Sequence, residues 1–302
     1  MTDYTFAPPR NFLGLDAQYS RFAESGGLVL PVPYETTTCY KSGTKQGPQA
    51  IIDASVQVEL YDTELECEPA LLWGVHTLPS LLPSLHSPER AVENIAAAVA
   101  HYASLNRVLG VLGGEHSVSV GVARGLHQSM GKFLTVQLDA HADLRDSYDG
   151  TPYSHACTAR RILEVSDIIQ LGIRSLDVSE AEFLRHNRQR VVTFYAEEMH
   201  KDHGYLDRLA AKVEGNNVYL TIDVDVLDSS VMPSTGTPEP GGLWWHQVVQ
   251  IVRTLVTHSR IIAFDCVELS PISGLHAPDY LAAKLVTKML NLLLADRFAG
   301  KR

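Results

Sequence analysis

Val136-Gln137-Leu138-Asp139-Ala140-His141-Ala142-Asp143 is the stretch from which the rest of the chain can be read. An apolar-rich run leads into Asp139, His141 and Asp143, spaced two apart. In extended backbone, residues i, i+2 and i+4 share one face. Two carboxylates and an imidazole therefore leave the end of a strand on the same side. Three such groups left unpaired are costly to gather. A divalent cation removes that cost, because it accepts oxygen and imidazole ligands together. The competing reading is a turn after a strand, where Asp is common and the histidine incidental.

Two further stretches repeat the design. Val218-Tyr219-Leu220-Thr221-Ile222-Asp223-Val224-Asp225 is a β-branched and aromatic run ending in acids at i and i+2. Val108-Leu109-Gly110-Val111-Leu112 leads through Gly113-Gly114 to Glu115-His116. Open α/β sheets form their sites outside the carboxyl ends of the strands. His116, Asp139, His141, Asp143, Asp223 and Asp225 together offer four carboxylates and two imidazoles. Four negative charges balance two divalent cations, and carboxylates can bridge metals about 3.5–4 Å apart. Such a pair lowers the pKa of a water between them. With no thiolate at hand and oxygen predominating, manganese is favoured over structural zinc.

At 302 residues and 45% hydrophobic content the chain can bury a substantial core. A net charge of −10 argues against a nucleic-acid partner and suits a cationic small molecule. Cys39, Cys67, Cys157 and Cys266 form no CxxC pair and read as reduced thiols of a cytoplasmic protein. The start Met1-Thr2-Asp3-Tyr4-Thr5 lacks a signal-peptide pattern. No uncharged apolar run reaches membrane-spanning length; the 281–294 stretch is interrupted by Lys284 and Lys288.

Taken in order, residues 1–26 are expected to be irregular. Strands are expected at 28–32, 71–75 and 107–112, in a run ending at Asp139, at 168–172 and 191–194, in a run ending at Asp223, and from 261 to near 268. Helices are expected from Gly47-Pro48, from Ser87-Pro88, and over 117–128, 156–164, 178–187, 205–213, 244–256 and 280–295. Pro48 and Pro88 stand where a first helical turn tolerates proline, and Ser87 is an N-cap. Strands alternating with helices mean a three-layer α/β fold, an eight-stranded and mostly parallel sheet covered on both faces. No linker composition or internal repeat divides the chain, so one domain is expected over 1–302.

The motifs Gly113-Gly114-Glu115-His116-Ser117, Asp139-Ala140-His141-Ala142-Asp143, Ser154-His155-Ala156, Asp223-Val224-Asp225-Val226-Leu227-Asp228, Thr235-Gly236-Thr237-Pro238-Glu239-Pro240-Gly241-Gly242 and Val267-Glu268-Leu269-Ser270-Pro271 occur in this order. The chain thereby resembles the ureohydrolase family, which contains arginase and agmatinase, on an arginase/deacetylase-like fold. The resemblance implies two manganese ions per chain. One would be held by His116, Asp139, Asp143 and Asp223, the other by Asp139, His141, Asp223 and Asp225. It implies His155 as a proton-transfer histidine and Asp143 as a proton relay. It implies Glu268 as the carboxylate that pairs with a guanidinium, with Thr237 beside it. A planar guanidinium suits bidentate pairing with a carboxylate. The products would be urea and an amine, and the family tendency is a homo-oligomer, trimer or hexamer.

The guanidine's tail is read from 144–153, which lacks arginase's Asn- and Ser-bearing pattern. Asp146 and Asp149 there could favour a cationic tail, and Arg145 opposes one unless it is paired. Agmatine leads on this reading. Aminopropylagmatine, guanidinobutyrate and arginine are the alternatives, as is an amide deacetylase with a single zinc. Glu115 stands where many members have Asp, a swap with no expected consequence. Ser229 replaces a common proline and is expected to loosen its turn. Cys157 reads as a buried small residue, His200 and His203 as solvated, and Trp244-Trp245 as core or subunit contact. Gly113-Gly114 is no dinucleotide fingerprint.

Overall fold

A strand buried on both faces needs a near-continuous apolar run, not alternation. Gly27–Val32 (β1) and Val108–Gly113 (β3) are such runs and are buried throughout. In the computed structural model, which describes residues 9–202 and 204–298, they belong to one eight-stranded sheet. The other strands are Val75–Thr77 (β2), Leu134–Leu138 (β4), Asp167–Ile173 (β5), Val191–Tyr195 (β6), Asn217–Asp223 (β7) and Arg260–Val267 (β8). Their spatial order is β2-β1-β3-β8-β7-β4-β5-β6, and every pairing is parallel. The expected "mostly parallel" sheet is wholly parallel.

Each face carries its own apolar layer. Val29, Leu112, Val136, Leu138 and Leu220 pack with residues of the helices Gly47–Ser55, Tyr205–Val213, Trp245–His258 and Ala277–Phe298. Leu28, Leu30, Leu109, Val111 and Tyr219 pack on the other side with the helices Pro88–Ala103, Val118–Met130 and Thr158–Ile162. Successive residues of one strand thus serve opposite layers.

The chain leaves β3, runs through the helix Val118–Met130 and re-enters the sheet as β4, with β8 and β7 between the two. The adjacent strands β4 and β7 lead away in opposite directions, β4 on to β5 and β7 back to β8, with their following helices on opposite faces of the sheet. A parallel sheet has its crevice at such a point, outside the carboxyl ends of the strands. The four adjacent strands β3, β8, β7 and β4 deliver Glu115-His116, Glu268, Asp223-Asp225 and Asp139-His141-Asp143 to one place. Gly114 makes this possible on the β3 side. A Cβ on it would lie 2.0 Å from the Tyr34 carbonyl oxygen, so only glycine lets the 33–37 loop cross there.

Several element expectations change. Leu71–Val75 is not a strand: Pro69–Trp73 is a short helix, ended by Gly74 at φ 70°, and β2 begins at Val75. A short apolar run with a proline at its start fits either element. The expected 156–164 helix is a 3-10 turn, His155–Cys157, followed by Thr158–Ile162. Ala196–Lys201 is a helix that the periodicity did not announce. Within the N-terminal segment, Phe12–Gly14 is a 3-10 turn and Ala17–Ser20 one helical turn. Residues 1–8 and His203 lie outside the described residues. No helix among the described residues is long and apolar enough to cross a membrane.

Candidate active site

The floor of the crevice is built from histidines and acids that converge on each other. His116 Nδ1 lies 3.1 Å from Asp139 Oδ2, 3.0 Å from Asp143 Oδ2 and 3.5 Å from Asp223 Oδ2. This nitrogen is buried, yet it makes no hydrogen bond of acceptable geometry. The four groups therefore point at the space between them, as ligands around a cation do. Beside them, His141 Nδ1 lies 2.9 Å from Asp225 Oδ2 and 3.7 Å from Asp139 Oδ1. The ligand atoms of His116, Asp139 and Asp223 lie within 4.8 Å of one another, and so do those of Asp139, His141 and Asp225. Asp139 belongs to both groups. Asp223 groups with His116, and its Oδ1 accepts a hydrogen bond from the Asp225 N–H at 2.9 Å. The oxygen-rich donor set with two imidazoles fits a pair of divalent ions.

Outer partners aim these groups. Gln137 Nε2 donates to Asp139 Oδ2 at 2.7 Å, and the Ala140 N–H donates to Asp225 Oδ1 at 2.9 Å. His116 Nε2 meets Thr221 Oγ1 at 3.0 Å, which turns Nδ1 towards the acids. Partners of this kind fix ring orientation in metal sites. Asp143 and Glu268 hold φ of 51° and 66°. Backbone in that region costs side-chain-bearing residues about 1–3 kcal/mol and persists where the surroundings impose it.

The acids resist ionising together. Burial, then the Asp139 charge, raises Asp143 to about 7. Burial, then Asp225 and Asp139, raises Asp223 well above the carboxylate range. Burial opposes charge on His141, but Asp225 outweighs it and raises the imidazole to about 10. The same pairing holds Asp225 at about 2 against its own burial. For His116, likewise, Asp139 and Asp143 overcome desolvation and raise it well above 6.5. The cluster balances its charge with protons, which cations would displace.

Glu268 closes the floor. Its Oε1 accepts a hydrogen bond from the His116 N–H at 2.7 Å. Burial, with Glu115 adding repulsion against that hydrogen bond, raises it to about 8. A cationic guanidinium beside it would restore the ionised form. Thr237 lines the same cleft, whose volume is about 350 Å3. Sites for small molecules span about 300–1,000 Å3.

On the opposite wall, His155 Nδ1 lies 3.3 Å from Thr37 Oγ1, while Nε2 lies 3.8 Å from Cys39 Sγ. Burial lowers the His155 pKa. Arg145 lines the cleft and is engaged: it lies 3.3 Å from Asp177 and 3.7 Å from Glu180, and stacks over the Tyr148 ring. Asp146 and Asp149, expected at the substrate's tail, are not among the residues lining the cleft. Asp146 is 76% exposed and pairs with Arg161 at 2.7 Å. Asp149 sits exposed in a turn at φ 47°. The loop 144–153 turns Arg145 and Tyr148 to the cleft and its two acids away from it, which spacing could not reveal. Besides the floor cluster and Glu268, the acids that line the cleft are Asp177, Glu180 and Glu239.

Arg174 and Thr37 carry no site role in the sequence reading, and Glu115 was expected to be without consequence. Arg174, two residues beyond Gly172, donates to the carbonyls of Asp225 at 2.7 Å, Glu239 at 2.9 Å and Pro240 at 3.0 Å. It ties the loop after β7 to the Pro/Gly loop. A charge directly after an apolar strand was the available signal. Thr37 and Glu115 form the support of His155. Cys157 is fully buried, and burial pushes its thiol to about 11, which suits a packing role. Trp244 is 51% exposed and Trp245 packs on the core edge.

The arginase family model matches residues 26–291. The chain belongs to the arginase family. N(1)-aminopropylagmatine ureohydrolase of Synechocystis sp. is 34% identical over 288 residues, 93% of each chain. Agmatinase of Pyrococcus horikoshii is 32% identical over 268 residues, 88% of this chain and 91% of its own. The crystal structure of agmatine ureohydrolase of Thermoplasma volcanium superposes with a TM-score of 0.85 at 28% identity, covering 98% of this chain and 97% of that one. This member of the arginase family is a ureohydrolase of agmatinase type, a hydrolase of amidino compounds. The expected family and fold are borne out.

Proposed function

We propose that the chain hydrolyses a guanidine with a cationic amine tail, foremost N(1)-aminopropylagmatine, to urea and the corresponding polyamine. The carrying observation is the buried Glu268 carboxylate at the floor of a cleft also lined by Asp177, Glu180 and Glu239. The floor suits a guanidinium and the half-exposed Glu239 suits an amine of the tail, while Asp177 and Glu180 are engaged by Arg145. Arg145 is engaged by Asp177, Glu180 and Tyr148, which weakens it as a receptor for a substrate carboxylate. The relatives named for aminopropylagmatine, at 33–35% identity, support the longer, aminopropyl-extended substrate. Agmatine is the second reading, favoured by the agmatinases at 28–32%.

In this reading His116, Asp139, Asp143 and Asp223 hold one ion, and Asp139, His141, Asp223 and Asp225 the other. Two such ions, when bound, would lower the pKa of a water between them towards neutrality. Glu268 and Thr237 orient the guanidinium. Asp143 takes a proton, and His155 returns one to the departing amine nitrogen. Arg145, Asp177 and Glu239 set the tail preference, with Asp146 and Asp149 reduced to long-range charge. The oxygen-rich ligands support manganese, and a cytoplasmic homo-oligomer of single-domain chains, trimer or hexamer, completes the proposal. All four cysteines are unpaired, in keeping with a reducing compartment.

The test is kcat/KM for aminopropylagmatine, agmatine, 4-guanidinobutyrate and arginine, on wild type and Arg145→Ala. A substrate carboxylate set against these acids is expected to cost roughly 10²-fold or more. The two cationic-tailed compounds should therefore lead. Arginine or guanidinobutyrate in the lead, lost on Arg145→Ala, would make Arg145 a carboxylate receptor and end this reading.

A further inference from the structure

Glu115 is fully buried one residue before His116, and it turns away from the metal cluster. Its Oε2 accepts hydrogen bonds from the Thr36 and Thr37 N–H groups at 2.6 and 2.7 Å. Its Oε1 accepts from Thr37 Oγ1 at 2.7 Å and from Ser117 Oγ at 2.5 Å. The carboxylate is an acceptor in all four. The single hydrogen of the Thr37 hydroxyl is thereby committed to Glu115, and the oxygen can only accept from elsewhere. Two donors are in reach: the His155 N–H at 3.0 Å and His155 Nδ1 at 3.3 Å. One hydrogen given and two lone pairs filled completes the hydroxyl's tetrahedral set. An Nδ1 without hydrogen would instead set two lone pairs against each other at that distance.

We propose that Glu115, acting through the Thr37 hydroxyl, fixes the tautomer of His155. Nδ1 carries the hydrogen, and Nε2, on the side of Cys39 and the cleft, is the nitrogen that exchanges protons with the substrate. Glu115 and Thr37 are positioning residues. The arrangement follows the logic of an acid that orients a catalytic histidine, here with a hydroxyl as the intermediary. It also gives the extra methylene of Glu115 a purpose, because the carboxylate must span from the end of β3 to the 36–37 loop. Ser154 Oγ, also 3.3 Å from Nδ1, is the rival partner. In the proposed tautomer it can only accept from that nitrogen.

The inference rests on the proton-transfer role proposed for His155, and two measurements separate the two. Kinetics come first, on the metal-loaded enzyme. Thr37→Val should lower kcat roughly tenfold or more with KM little changed, while Thr37→Ser and Ser154→Ala should stay near wild type. Metal content should be unaltered in all three. In a His155→Asn background, Thr37→Val should have no further effect, as expected of residues acting as a unit. An equal fall in that background, or a fall on Ser154→Ala without one on Thr37→Val, overturns the proposal and leaves the role of His155 intact. Full activity of His155→Asn overturns both. The second measurement needs no turnover: neutron diffraction from deuterated, metal-loaded crystals at pH 8. Deuterium on Nδ1, with or without Nε2, supports the assignment, and deuterium on Nε2 alone overturns it.

Discussion

Asp139 offers one oxygen to each half of the buried cluster, Oδ2 towards His116 and Oδ1 towards His141. The Asp225 carboxylate groups with Asp139 and His141 and not with His116. Truncating the two should therefore differ in kind. Asp139→Ala is expected to leave close to no bound metal, and Asp225→Ala to retain about one ion per chain. Elemental analysis of the dialysed variants reads this directly, and equal losses would remove the distinction. At this scale much was legible. An i, i+2, i+4 pattern at a strand end names the acids and histidines without any knowledge of the fold. Glu115 was not legible, since its partners Thr36 and Thr37 lie far away in the chain.

Between β7 and the helix Trp245–His258, the Pro/Gly loop owes its shape to Asp228. Oδ2 of Asp228 accepts the N–H groups of Gly241 at 2.8 Å and Gly242 at 3.0 Å, and Oδ1 accepts that of Ser230 at 3.0 Å. The turn expected to loosen at Ser229 is held by this carboxylate instead of by a proline. The Ser230 hydroxyl, then the backbone donors, hold Asp228 at about 2 against partial burial. An unfolded Asp titrates near about 3.9. A depressed native pKa means stability that is present above the unfolded value and lost as pH falls from about 4 towards 2. The stability gap between wild type and Asp228→Asn should thus be constant above pH 5 and shrink at pH 3.5. Urea unfolding at the two pH values measures it; a gap that stays constant would assign the loop's stability to other contacts. The misreading of Leu71–Val75 belongs to this scale too. Five apolar-rich residues fit a helix or a strand, and the left-handed Gly74 decides the matter only once its φ is known.

Across the whole molecule, the strand order β3-β8-β7-β4 sets four strand ends side by side and crowds their buried acids together. Such a cluster stabilises the fold only when its charge is balanced. Binding to the native state alone contributes about 2.7 kcal/mol per site at a hundredfold excess over Kd. Removal of divalent ions by a chelator is therefore expected to lower the melting temperature by several degrees. The sign with pH follows from His141, which Asp225 raises to about 10 against its own burial. A metal must displace that proton, and the competition weakens as pH rises. The stabilisation by added manganese should be larger at pH 8 than at pH 6, as read by calorimetry. A chelator-insensitive melting temperature would sink the idea.

The parallel α/β class, the strands that end in acids and the six residues of the cluster are all written in local patterns: apolar runs, a period of two, and chemistry placed where a strand stops. Which loops face the cleft is set by packing between distant segments. That packing takes Asp146 and Asp149 out, brings in Asp177, Glu180 and Glu239, and pairs Arg145 with the first two of these. It also joins Glu115 to His155 through Thr37. Each of these depends on how segments distant in sequence are packed across the crossover. A carboxylate's neighbours there are set by the topology of the sheet, which no local pattern encodes.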